Sequence, residues 1–116
     1  MATIWLQLST RGKVNLTMQA KCCDREIAPR IGEEIHLGIN EAGKYVYAKV
    51  SKVAHFLLSD GSAVVTCHEI TPSALFITIS QNNKGCIWTF VNGDEEEWLS
   101  LELCIAQGRS FASLGW

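Results

Sequence analysis

The chain has 116 residues, of which 47% are hydrophobic, and a formal net charge of −2. This length predicts a single domain spanning residues 1–116, and the hydrophobic content argues against disorder. The acidic balance argues against a dedicated nucleic-acid-binding protein, because neutralising phosphates needs clustered Lys and Arg. Neither a signal peptide nor an apolar run of about 18 residues is found, so we expect a cytoplasmic protein with no membrane partner.

The cysteine content predicts a reduced protein with buried free thiols. Five cysteines are present, and they include no Cys-x-x-Cys pair of the zinc-ribbon or thioredoxin type. Cys22 and Cys23 are adjacent and flanked by Lys21 and Arg25, cations that favour a reactive thiolate. No neighbour in sequence supplies a general base, so thiol chemistry is only a distant hypothesis.

Alternating apolar residues predict that the chain begins with two antiparallel strands. A loop at residues 11–13 would place Leu8 opposite Leu16 and Leu6 opposite Met18. A loop one residue shorter would scramble the apolar face, so the pattern favours this register.

A third strand at residues 33–39, a turn at 40–43 and a long strand at 45–58 follow. The apolar period of the long strand slips by one position near Ser51. Such a slip indicates a β-bulge or sharp bend. The bend would let one strand serve two sheets or turn the corner of a small barrel.

Asp60-Gly61 predicts a tight hairpin after the long strand. This turn would set Phe56 opposite Val65 and Lys52 opposite Glu69, and the opposite charges support the register. Both faces of the hairpin would then be apolar. Because such a hairpin must be covered on both sides, a partner subunit is a natural cover.

The same register would put His55 and His68 on one sheet face, where they could bind a small molecule with Tyr45 and Tyr47. Two histidines could supply half of a metal site. The face offers no further obvious ligand, and His36 could join only through the tertiary fold. We therefore assign no metal, no cofactor and no catalytic residue.

The segment after Pro72 predicts a second hairpin, with strands at residues 75–80 and 86–91. Residues 94–107 are ambiguous. Alternating leucines indicate a strand, whereas an acid-rich first turn and the stop at Gly108 indicate a helix. We favour the strand and keep the helix as the alternative.

Large aromatic and apolar side chains suggest a contact surface. Four tryptophans are present, and Trp and Tyr anchor protein interfaces well. The expected interface residues are Phe56, Val65, Trp88, Trp98 and Trp116.

Residues 14–71 contain a Pro-Arg-x-Gly-Glu turn before a strand and a Val-x-x-Val-x-His element in the following long strand. These positions are Pro29, Arg30, Gly32, Glu33, Val50, Val53 and His55. In this layout the chain resembles small uncharacterised proteins of bacteria, phages and mobile elements, of the gene-cassette type, which look like compact β-barrels. The resemblance implies a small barrel and an accessory role, and it implies no activity.

We therefore predict a mainly β domain, a small barrel or sandwich of about seven or eight antiparallel strands, with one helix near 94–107 as the alternative. The expected function is a non-enzymatic, homo-oligomeric binding or interaction module. The alternative is a β-barrel that binds a small molecule in a pocket near His55 and His68. A metal-dependent or thiol enzyme is the third hypothesis.

Overall fold

Seven strands form two sheets within residues 2–10, 14–25, 29–56, 62–82 and 86–116, which a computed structural model describes. The strands are β1 (Ala2–Thr10), β2 (Leu16–Arg25), β3 (Glu34–Ile39), β4 (Tyr45–Lys49), β5 (Lys52–His55), β6 (Ala63–Ile70) and β7 (Trp88–Gly93). The helices are α1 (Pro72–Gln81), α2 (Glu95–Ala106) and a C-terminal 3₁₀ helix (Phe111–Leu114). The mainly β prediction is confirmed.

The larger sheet has the strand order β5-β6-β1-β2-β7, and β3 and β4 form the smaller sheet. β1 and β6 run parallel, so the prediction of antiparallel strands throughout is wrong for this pair. Within the described residues, β5 and β7 are the edges of the larger sheet, which is not closed into a barrel. Neither a barrel nor a sandwich is confirmed.

The first two strands pair as predicted, but two residues out of the predicted register. Leu8 lies opposite Met18, and Leu6 lies opposite Ala20. A shift of two residues keeps every side chain on its face, so the apolar alternation could not distinguish the two registers. Thr10 holds the end of β1 next to the start of β2, because its Oγ1 donates to Val14 O at 2.6 Å.

The bend predicted near Ser51 is present. β4 ends at Lys49 and pairs with β3, whereas β5 begins at Lys52 and pairs with β6. Between them, Val50 is buried and its N–H donates to Glu33 O at 2.9 Å. One stretch of chain therefore serves both sheets, as the slipped period indicated.

The β5–β6 register differs from the prediction. Lys52 lies opposite Thr66 instead of Glu69, and His55 lies opposite Ala63. An odd shift of three residues exchanges the two faces of a strand. The predicted turn at Asp60-Gly61 lies outside the described residues. The observed register is tied by Ser51, whose N–H donates to Thr66 O at 2.8 Å.

The predicted strand at residues 75–80 is wrong, because this segment is helix α1. Thr71 caps the helix, with its Oγ1 accepting from Ala74 N at 3.2 Å, and Pro72 occupies the first turn. Pro at that position has the helical φ already set and has no N–H to leave unpaired. The cap and the burial of Leu75 override the β-branched residues of the segment.

Residues 95–106 form helix α2, so the helix alternative is right and the favoured strand is wrong. The Asp94 carboxylate accepts from Glu96 N at 3.0 Å and from Glu97 N at 3.3 Å, which is a standard N-cap. Among the described residues, no helix is both long and apolar enough to cross a membrane.

The hydrophobic core lies between the strands and the two helices. Leu8, Leu16 and Met18 from the sheet and Leu75 and Leu101 from the helices are all fully buried. The β2–β7 end of the sheet requires a glycine, because Gly93 has φ +108 and a Cβ there would overlap Asn15 O.

Candidate functional site

Large aliphatic side chains are exposed just before β7, on β7 and on α2, and these elements are consecutive in the chain. Ile87 is 83% exposed, Val91 42%, and Leu99 and Leu103 57% each. Leu99 and Leu103 are four residues apart and so lie on the same helix face. We call Ile87, Val91, Leu99 and Leu103 the β7–α2 surface. Exposed apolar side chains concentrated in one part of the chain suggest a contact site.

The outer edge of β7 is open to pairing in the described part of the chain. β7 pairs with β2 on one side only, and its sequence WTFVNG contains neither a charged residue nor proline. The opposite edge strand, β5, has only four residues and begins with Lys52. Natural proteins protect sheet edges with shortness and with charge, particularly lysine. β5 therefore has this protection and β7 lacks it.

Helix α2 places negative charge at one end of this region. Its first turn contains Glu95, Glu96 and Glu97, and its last turn contains no basic residue. Carboxylates at a helix N-terminus are stabilised by the helix dipole, so the acidic run of residues 94–97 is explained as a cap. This explanation leaves no need for a catalytic role.

The packing between β7 and α2 is incomplete in two respects. A groove of about 280 Å³ is lined by residues that include Ile87, Trp88, Trp98 and Ile105. Among the described residues, the buried side-chain N or O atoms without a hydrogen-bond partner are Trp88 Nε1 and Glu97 Oε2, and both belong to β7 or α2. Buried polar atoms are nearly always paired in folded proteins, so this region stands apart from the rest of the fold.

Three of the predicted interface residues are core residues of the chain itself. Val65 is 0% exposed, Trp98 5% and Trp88 9%, so they are not surface anchors. Phe56 is 48% exposed. Trp116 is partly buried, and its ring lies 6.1 Å from that of Phe111. The error arose because a tryptophan suits a core as well as an interface.

Tyr45 and Tyr47 lie on one face of β4, as predicted, and the fold adds His36 to them. The His36 ring is 4.7 Å from that of Tyr45 and 5.6 Å from that of Tyr47, and the tyrosine rings are 6.3 Å apart. Tyr45 is 60% exposed and Tyr47 52%. The three rings form an exposed aromatic cluster, and a ligand-binding role for the tyrosines stays a prediction.

His55 and His68 do not share a face. His55 lies opposite Ala63, and His68 is five positions beyond Ala63, so alternation places it on the other face of β6. His68 bonds locally instead, with Nδ1 2.7 Å from Ser51 Oγ. The same hydroxyl lies 3.0 Å from Thr66 O, so Ser51 connects His68 to the backbone of β6. The structure therefore does not bring the two histidines to one site.

The buried thiol of Cys67 is not an activated nucleophile. Cys67 is fully buried, and burial raises the pKa of its thiol to about 11, so it stays protonated at neutral pH. Cys104 is also buried, with Sγ 3.3 Å from Ser113 Oγ. Cys22 and Cys23 belong to β2, and their side chains lie outside the described part of the structure. Within that part, no three His, Cys, Asp or Glu side chains come together as metal ligands.

A second groove, which we call the α1 groove, lies between α1, the β3–β4 turn and the 3₁₀ helix. Its volume is about 420 Å³. It is lined by Ile39, Asn40, Glu41, Ala42, Ser73, Phe76, Ile77, Ser80, Gln81 and Phe111. Sequence reasoning missed this site because residues 75–80 were interpreted as a strand. The Thr71-Pro72 start signal is what could have revealed the helix that forms its wall.

No protein-family model, curated protein or solved structure matches this chain, so its geometry carries the functional argument.

Proposed function

We propose that this chain is a non-enzymatic interaction module that forms homo-oligomers through the β7–α2 surface. The observation that carries the proposal is the exposure of four aliphatic side chains beside a strand edge that has no charge and no proline. Removing apolar area from water stabilises a contact by about 25 cal/mol per Å². An open strand edge adds backbone hydrogen bonds to a pairing strand.

A second copy fits this surface in a two-fold arrangement, with β7 pairing antiparallel to its equivalent. Helix α2 returns along β7, because Phe90 lies 6.4 Å from Trp98 near the start of α2 and Trp88 lines a groove with Ile105 near its end. The two α2 helices would therefore run antiparallel. Each acidic first turn would then lie towards the C-terminal end of the partner helix, where Arg109 follows, and away from the other acidic turn.

Sedimentation equilibrium over a concentration series tests this proposal with Leu103→Lys. A buried lysine at the contact should raise the dissociation constant about tenfold or more. Ile31→Lys is the matched control, because Ile31 is also an exposed aliphatic residue, 68% exposed, and belongs to neither β7 nor α2. A wild-type protein that stays monomeric at every concentration, or equal effects of the two variants, would contradict the proposal.

Small-molecule binding is the second candidate. The pocket expected near His55 and His68 is not supported, because these histidines lie on opposite faces of the sheet. The α1 groove supports this candidate at a different place. A thiol enzyme gains no support from the buried, protonated Cys67.

Two further parts of the proposal concern the setting of the protein. The odd number of cysteines supports a reducing, cytoplasmic location. The resemblance of residues 14–71 to gene-cassette-type proteins supports an accessory role.

A further inference from the structure

We propose that the α1 groove binds a small molecule that joins an apolar body to a positively charged amine. The groove volume of about 420 Å³ falls within the range of small-molecule sites. This proposal does not depend on self-association, because the groove is formed by α1, the β3–β4 turn and the 3₁₀ helix and not by β7 or α2.

The wall of the groove is held in place by the C-terminal end of α1. The Gln81 side chain bonds both backbone groups of one residue: Oε1 accepts from Ile39 N at 2.8 Å and Nε2 donates to Ile39 O at 2.6 Å. Asn82 Nδ2 donates to Leu37 O at 2.7 Å. These bonds fasten β3 to α1, so the groove is present without a ligand and binding requires little reorganisation.

The interior of the groove is mostly apolar. The rings of Phe76 and Phe111 meet edge to face with centroids 5.8 Å apart. Ile39, which is 43% exposed, and Ile77 extend this lining. Aromatic and branched aliphatic walls of this kind favour an apolar ligand body, and aromatic faces also attract cations.

Hydrogen bonding inside the groove leaves one ionisable group for a ligand. Four other polar residues that line it already bond within the chain: Asn40, Ser73, Ser80 and Gln81. Glu41 is exposed, and in the described residues its carboxylate has no hydrogen-bond or ion-pair partner. Since it is the only ionisable residue among those lining the groove, the complementary ligand group is a cation.

A matched series of probes tests this assignment: 4-phenylbutylamine, 4-phenylbutanol and 4-phenylbutyrate share one apolar body and differ in charge. Their binding to ¹⁵N-labelled protein is followed by two-dimensional NMR at pH 7. We expect the amine to bind about fivefold more tightly than the alcohol, as one solvent-exposed contact with a carboxylate would give, and the butyrate to bind least tightly. Shifts should concentrate at residues 39–42 and 76–81.

Variants assign the selectivity to Glu41. Glu41→Gln should bring the amine to the affinity of the alcohol, while Glu34→Gln, on β3 outside the groove, should leave the fivefold preference intact. Phe111→Leu should weaken all three probes. Equal affinities of the amine and the alcohol for the wild type, shifts elsewhere on the surface, or an unchanged preference in Glu41→Gln would overturn the proposal.

Discussion

Gly38→Ala probes the contact between β3 and α1. An alanine Cβ at this position would lie 2.6 Å from Ile77 Cγ2 and 2.6 Å from Gln81 Oε1. Real Cβ atoms do not approach other heavy atoms so closely, so the side chains of Ile77 and Gln81 must shift. Gly38 has no left-handed φ, so the substitution introduces crowding and no backbone strain.

The loss of stability follows from two terms. Overpacking a well-packed contact costs about 1–3 kcal/mol. Displacing Gln81 also weakens its two hydrogen bonds to Ile39, each worth about 1 kcal/mol, and losing half of their combined stabilisation costs about 1 kcal/mol. We therefore expect Gly38→Ala to lower the free energy of unfolding by about 2–4 kcal/mol.

Urea unfolding followed by tryptophan fluorescence measures this loss, with the denaturant slope expected to stay unchanged. In an Ile77→Ala/Gln81→Ala background the clashing atoms are gone, so adding Gly38→Ala should cost less than about 1 kcal/mol. Gly43→Ala separates backbone strain from crowding, because Gly43 has a left-handed φ of +77 and nothing lies near its Cβ position. Unchanged stability of Gly38→Ala, or a full loss that persists in the double-variant background, would refute the reasoning.

Two further changes test the helix start and the buried thiol. Thr71→Ala should lower the free energy of unfolding by about 1 kcal/mol, because it removes the hydrogen bond to Ala74 N. Thr71→Ser keeps a hydroxyl and should therefore retain most of that stability. Equal losses for the two variants in urea unfolding would count against the cap. The pKa of Cys67 is raised from 9.0 to about 11 by burial, so between these pH values the unfolded chain loses this proton first and stability falls as pH rises. The fall should reach about 2 kcal/mol at pH 11 and should be absent in Cys67→Ala, and identical pH profiles of the two proteins would contradict it.

The β-rich N-terminal half was largely predictable from local signals. Strand period and the slip at Ser51 identified strands that the structure shows, including the change of sheet between β4 and β5. Registers were less accessible, because they depend on contacts between strands that lie far apart in the chain. Ser51 with Thr66 and the parallel β1–β6 pair set the β5–β6 register, and neither is visible in the turn sequence.

The secondary structure of the C-terminal half was harder to predict, because its residue patterns favour both a strand and a helix. Leu99, Leu101 and Leu103 recur at every second position, as the residues on one face of a strand would. The structure nevertheless places them on a helix, where Leu99 and Leu103 are exposed. Their exposure is the basis of the β7–α2 surface, so the feature that misled the strand prediction is also the functional signal. The tryptophan content likewise predicted a contact surface, while Trp88 and Trp98 pack in the core.

The aromatic cluster and the α1 groove show which parts of a site can be read from sequence. Tyr45 and Tyr47 share a strand face by simple alternation, which the sequence shows. His36 joins them only because β3 pairs with β4. Phe76 and Phe111 are 35 positions apart in the chain, and their contact requires both helices to be placed first.

Hydrogen–deuterium exchange of the β7 amides at several protein concentrations tests the central claim most directly. If β7 pairs with its equivalent in a second copy, amides that face the open edge at residues 88–93 should exchange more slowly as concentration rises. Amides of β5, the protected edge, should be unaffected over the same range. Exchange rates at β7 that do not depend on concentration would contradict self-association through this strand.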